Sequence, residues 1–334
     1  MSSWRSWHRP LLLFAALMIV TGIGSAVGLL VDDRTLTGSP IWFKPFKFSL
    51  SLMMYALSLA WTLSLATRAH RLAWWAGTVV AAAGAVEMVI IIGQVFRGKI
   101  SHFNRETPFD AALYDIMAVT IVVLWTGAVT IAVLLFRSRI EDRAAAWTLR
   151  FGSLLAVIGA ALGFLMPQPT PEQRAAAENG PVDVVGAHSV GVPDGGPSMP
   201  LTGWSTTGGD LRIPHFVGMH ALQVLPLLLL ALVALAPHLP RLRDETVRLR
   251  LVFAASGTYA AVLVLITWQA LRGQPLLEPD TATLAVGAAV VLGAALAVGV
   301  SLGSTPRTRP GATDTPPDPT APQRNGRTHE ETSA

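Results

Sequence analysis

Residues 72–96 read LAWWAGTVVAAAGAVEMVIIIGQVF, a stretch of 25 residues whose single charge is Glu87. A helix rises about 1.5 Å per residue, so about 20 apolar residues cross the ~30 Å hydrocarbon layer of a bilayer. This stretch has that length and almost nothing polar to interrupt it. It predicts a transmembrane helix.

Outward from it, seven more runs of spanning length fall near 11–31, 46–67, 111–136, 149–166, 216–237, 249–271 and 280–303. Composition agrees, with 51% hydrophobic and 14% charged residues and a mean hydropathy of +0.49. Soluble domains carry about 25% charged residues. A charge at mid-bilayer costs roughly 2.5–3.5 kcal/mol on insertion scales, which selects against them here. The expected fold class is all-α, a multi-pass transmembrane bundle of about eight helices. Residues 1–303 form the membrane domain, and 167–215 form a long loop. Residues 304–334 are rich in Pro, Thr, Arg and Asp and have too little apolar surface to offset ordering, so a disordered cytoplasmic tail is expected there. The first run follows Arg5 and Arg9 and contains Gly24-Ser25-Ala26, as a signal peptide would, but its length suits a span better than a signal core.

Basic residues give the orientation. With the N-terminus inside, 16 of the 25 Lys and Arg residues fall in cytoplasmic segments, in groups around Arg5, Arg68, Arg137–Arg150, Arg241–Arg250 and Arg307–Arg327. The other nine fall outside. The positive-inside rule therefore favours both termini in the cytoplasm and a place in the bacterial inner membrane. It also accounts for the net charge of +4 without nucleic acid as a partner. No cysteine is present, which excludes disulfides, thiolate metal sites and cysteine nucleophiles.

The candidate chemistry gathers toward the outer side. Glu87 lies ten residues before Arg97, roughly 15 Å below the outer end of its helix, where an acid must be neutral, paired or facing a polar cavity. Gln94 is seven residues on and shares its face. His102, His188, His215 and His220 are all outside, with Asp110, Asp194 and Asp210. Histidine and carboxylate suit zinc, iron or copper, so haem or a divalent metal is a candidate cofactor on His102, His215 and His220. His215 and His220 are about 140° apart on a helix, however, and would need distant partners. Glu87 and His102 are candidate proton-handling groups. Lys44 and Lys47, in Trp42-Phe-Lys-Pro-Phe-Lys-Phe48, read either as snorkelling residues of an aromatic belt or as binders of an anion. Arg97, Lys99 and Arg105 raise the same question, and Asp110 is expected to cap the fourth span. Candidate substrate-binding groups are Lys44, Lys47, Gln94, Arg97, Asp110, Asp210, Arg212 and Gln223. The loop's Met199, Trp204 and Leu211 suggest that it packs over the membrane domain.

One echo is visible. Gln94-Val-Phe-Arg-Gly98 and Gln269-Ala-Leu-Arg-Gly273 end the third and seventh spans, the positions that two parallel four-helix halves would make equivalent. Three stretches also resemble a family of bacterial polytopic membrane proteins: Lys44-Pro-Phe-Lys-Phe48, Ser101-His-Phe-Asn104 with Thr107-Pro-Phe-Asp110, and Gly208-Gly-Asp-Leu-Arg-Ile-Pro-His-Phe216 running to His220-Ala-Leu-Gln223. That resemblance covers roughly residues 40–230 and brings no activity with it. A plan of eight helices in two halves is also similar to haem A synthase. The second, fourth and eighth spans here lack histidine, so that family's ligands have no counterparts.

Three readings remain open at this level. One is an outward-facing site that binds a metal, a haem or a lipid-soluble substrate. Another is a proton- or cation-coupled transporter centred on Glu87. The last is an assembly partner whose polar groups only join helices. No Ser-His-Asp, HExxH or phosphate-cradling motif supports an enzyme class.

Overall fold

The computed structural model describes residues 7–65 and 69–303; the tail expected at 304–334 lies outside them. Within them the chain is an all-α bundle: α1 (Arg9–Val31), α2 (Phe43–Ser64), α3 (His70–Arg97), α4 (Pro108–Arg137), α5 (Arg143–Leu162), a short α6 (Pro171–Ala177), α7 (Arg212–Leu235), α8 (Glu245–Leu271) and α9 (Thr281–Gly303). All but α6 are long and apolar enough to cross a membrane. This is a multi-pass membrane protein.

Helix starts follow local chemistry. Thr107 accepts the Asp110 amide and Pro108 follows it at the first helical position, which begins α4. The cap is thus Thr107, and Asp110 sits inside the first turn instead of capping it. Asp142 likewise caps α5, so that helix starts at Arg143, six residues earlier than hydropathy predicts. The apolar run begins only at Leu149, but the helix reaches back through Arg143 to the cap, and Arg150 is carried inside it. The Arg150 guanidinium bonds the Ser138 carbonyl and stacks over Trp147.

The packing repeats. In the first half α1 packs on α2 and α3, α2 on α3, and α3 on α4. The second half reproduces each relation, with α5 on α7 and α8, α7 on α8, and α8 on α9. The halves meet through α4–α5 and, more thinly, through α2–α7. The echoed segments adopt one geometry. Gln94 donates to the Ile100 carbonyl (3.4 Å) and Gln269 to that of Pro275 (2.7 Å), each six residues on. Gly98 and Gly273 take left-handed φ values of 67° and 71°. Arg97 then pairs with Asp110, and Arg272 with Asp280, at the start of the following helix. The same latch closes both hairpins.

Small residues set the tightest contact, between α5 and α7. A Cβ on Gly159 would lie 2.4 Å from the Gly218 backbone, so the two main chains touch. Without a hydrophobic force between helices in lipid, such close approach is a main source of association. Gly159→Leu is therefore expected to cost on the order of 2–3 kcal/mol or to abolish folded protein in a detergent melt. Gly24→Ala, with nothing within 4 Å, should melt like the parent.

Candidate functional site

Both termini of the described bundle lie at one end, where Arg241 bonds the Leu302 carbonyl and His8 bonds the Trp74 carbonyl (2.8 Å). The opposite, distal end carries the loops after α1, α3, α5 and α8. Residues 166–211 fold there as a cover. Ser189–Val190 pairs antiparallel with Gly209–Asp210, and single bridges join Asn104 to Val184 and Ser198 to Ser205. The Gly208-Gly209 pair has a steric reason: a Cβ on Gly209 would lie 2.0 Å from the Ala270 carbonyl, so the strand docks directly on α8. Lys47 ties α2 to the cover through the Thr202 carbonyl (2.7 Å). Arg212, at the start of α7, pairs with Asp210 (2.5 Å) and donates to the Gly203 carbonyl (2.6 Å).

Beneath the cover is a cavity of about 1440 Å³ between α2 and α7. Lys44, Lys47, His102, His188 and Arg212 line its upper part, with Val95 near the distal end of α3; Leu50, Ile91 and His220 line the middle, and Met54 and Val224 the floor. Leu50 and Met54 lie seven and eleven residues into α2, about 10 and 16 Å down its axis. The space therefore runs from a polar mouth to an apolar floor near mid-bilayer. At its floor the Gln223 amide donates to Ser58 Oγ (3.0 Å) and joins the two helices, while Gln223 Oε1 is buried with no partner among the described residues.

Five of the residues singled out from sequence thus line one space: Lys44, Lys47, His102, Arg212 and His220. The others serve its frame. Gln94, Arg97 and Asp110 form the α3–α4 latch, with Gln94 donating to Asp110 at 2.9 Å. Asp210 is held by Arg212 and by the Ser205 amide (2.8 Å). His215 Nδ1 donates to the Gly159 carbonyl (2.8 Å), bracing α5 against α7. Glu87 accepts a 2.6 Å bond from Thr120 of α4 and lies one turn below the cavity wall at Ile91. His102, His215 and His220 do not form a chelate; among the described residues no three His, Asp or Glu side chains group as metal ligands.

Sequence reasoning left His188 and Asp194 out of the site. Asp194 accepts from His188 Nδ1 (2.8 Å) and from the His188 and Ser189 amides (2.9 and 2.8 Å). These contacts hold its carboxyl below the usual carboxylate range although burial opposes them. Burial itself holds the imidazolium forms of His102 and His188 down, most strongly for His102, so both are neutral at pH 7. His102 is wedged against Phe48 and Phe103, and His188 against Phe103.

Cations at this end are mostly matched. Lys99 pairs with Glu106 (2.7 Å) and Arg105 with Asp115 (2.6 Å). Lys44 is different. Its ammonium has no hydrogen bond or ion pair among the described residues; it lies 5.9 Å from the Phe48 ring and faces the cavity.

Fold and site together define an eight-span helical membrane protein with a covered cavity between its halves. No protein-family model, curated protein or solved structure matches the chain.

The buried histidines give the cover a pH dependence. An opened cover takes up protons on His102 and His188 from about pH 6.5 downward, where the closed one resists them. Closure is therefore fully favoured above pH 6.5 and weakens as pH falls toward the lowered values. Protection factors across 183–210, corrected for the intrinsic exchange rate at each pH, are expected to fall between pH 7.5 and 5. His102→Phe, which keeps the ring contacts but cannot titrate, should flatten that response; an unchanged slope would count against burial as its cause.

Proposed function

We propose that this protein binds a lipid-soluble, amphiphilic substrate in the cavity between α2 and α7, at the extracytoplasmic face of a bacterial cytoplasmic membrane. One observation carries the reading: the cavity is polar under the cover and apolar about 16–18 Å down, as far as Met54 and Val224. A hydrated solute has no use for the lower half, and a plain hydrocarbon has none for the upper. Binding at the seam between two repeats is also the common arrangement in repeat-built membrane proteins. Haem or metal draws no support from the donor geometry, because the candidate histidines do not converge. Coupled transport through Glu87 draws little, since its carboxyl is held by Thr120 and does not line the cavity.

Purification in mild detergent followed by native mass spectrometry tests the reading. A retained amphiphile in near one-to-one ratio is expected, and Met54→Trp or Val224→Trp, which fill the apolar floor, should reduce it at least fivefold. Retention indifferent to both substitutions would overturn the proposal.

The orientation has its own test because the chain lacks cysteine. Ala177→Cys, on exposed α6, should react with a membrane-impermeant maleimide in intact cells. Glu141→Cys, on the opposite end, should react only after lysis. The reverse pattern would place the cavity on the cytoplasmic side.

A further inference from the structure

The cavity's charge and its side wall narrow the substrate class; the argument rests on the amphiphile reading above. A cation withdrawn from water is costly unless it is paired, and natural sites rarely leave one alone. The three other cations that line the cavity are engaged: Lys47 by the Thr202 carbonyl, Lys99 by Glu106 and Arg212 by Asp210. Lys44 and Lys47 both lack an ion pair among the described residues, but Lys47 has its carbonyl, and Lys44 alone of the four has neither an ion pair nor a hydrogen bond there. Its electrostatic neighbours make matters worse, since Arg212 and Lys47 are the strongest of them and Glu87 and Asp194 only partly offset them. The α2 and α7 N-termini also end at this mouth, and their backbone dipoles add positive potential. Glu87 and Asp194 are the acids whose charge reaches Lys44, and among the described residues neither pairs with it: Glu87 is bonded to Thr120 and Asp194 to His188.

The side wall indicates where a pairing charge comes from. Leu50, Met54 and Val224 line the cavity and remain 50%, 36% and 45% exposed. They lie about 10–18 Å down their helices, at a depth where the surroundings are hydrocarbon. The two helices they belong to touch only thinly, with the Ser58–Gln223 bond lower down as their cross-link. The thin α2–α7 contact is the route by which a chain would enter sideways from the membrane, with its head level with Lys44 and its tail on this apolar surface.

We infer that the substrate is a lipid with a net anionic head group, taken up laterally between α2 and α7 from the surrounding leaflet, with Lys44 as its principal counter-charge. Lys47 and Arg212, fixed by the cover, flank the head from the two halves. The apolar floor receives the first part of its acyl or prenyl chain. A phosphate-bearing head is the commonest lipid chemistry of this kind, and free phosphate would share the same upper contacts.

Titration of the purified protein with dioctanoyl phosphatidylglycerol, dioctanoyl phosphatidylcholine and inorganic phosphate separates these cases. The anionic lipid is expected to bind at least tenfold tighter than either of the others. Lys44→Gln should weaken it about tenfold or more without altering phosphatidylcholine, and Lys44→Arg should restore most of the difference. Lys44→Gln should leave or raise the melting temperature of the lipid-free protein, because it removes a half-buried amine with no partner among the described residues; a merely structural lysine would lower it. Equal binding of both lipids, unchanged in Lys44→Gln, would overturn the anionic head while leaving the amphiphile reading intact. Inorganic phosphate binding as tightly as the lipid would overturn lateral uptake of a lipid. Binding of none of the three, with Met54→Trp also silent in the retention assay, would overturn both.

Discussion

Inside a bilayer every charge and every backbone polar group must find a partner in the protein, because the solvent offers none. Most of this molecule can be read as obedience to that constraint. Glu87 is answered by Thr120, Asp110 by Arg97, Gln94 and Thr107, and Asp210 by Arg212 and the Ser205 amide. His215, at the top of α7, is answered by a carbonyl of α5. Against that background an ammonium with no partner is an exception that something outside the chain must resolve. Lys44 is one such group among the described residues, and it faces the cavity under the cover.

The repeat explains why the space is there. Each half is consolidated by contact of its first two helices, most closely where Gly159 meets Gly218, and each closes its last hairpin with the same Gln-Arg-Gly latch. The halves join firmly along α4 and α5 but only loosely along α2 and α7. A seam between two well-packed units can hold a cavity without costing either its core. The 166–211 segment then roofs the seam, pinned at one side by Lys47 and at the other by Arg212. Two residues that grip the roof are thus also two walls of the mouth.

Much of this was legible in the sequence, and the failures have physical causes. Hydropathy places all eight spans, and the Gln-x-x-Arg-Gly echo marks the repeat because it encodes a specific turn. Helix ends were less legible: α5 begins at a cap, Asp142, outside the apolar run that hydropathy detects. The site divided along a different line. Lys44, Lys47 and Arg212 stand at or near helix starts, where position along a span is enough to place them, while His102 in the α3–α4 loop and His220 two turns into α7 reach the same space from the distal side. Glu87, Gln94 and Arg97 drew attention by their rarity in a membrane, yet their partners on α4 absorb them. His188 and Asp194 were missed because their pairing depends on how a 46-residue loop folds back on itself, which no periodicity reports.

The chemistry that follows is modest and specific. Two neutral histidines, one oriented by Asp194, sit beside a set of cations in the upper part of the cavity, and the proposed anionic head would meet both there. The account stands on the seam between α2 and α7 being occupied from the membrane. Electron cryomicroscopy of the protein in nanodiscs of native lipid tests that most directly. The account requires elongated density between α2 and α7, with its head within about 3 Å of Lys44 Nζ and its tail against Met54 and Val224. A seam closed by direct α2–α7 packing, or a water-filled cavity walled off from lipid, would contradict it.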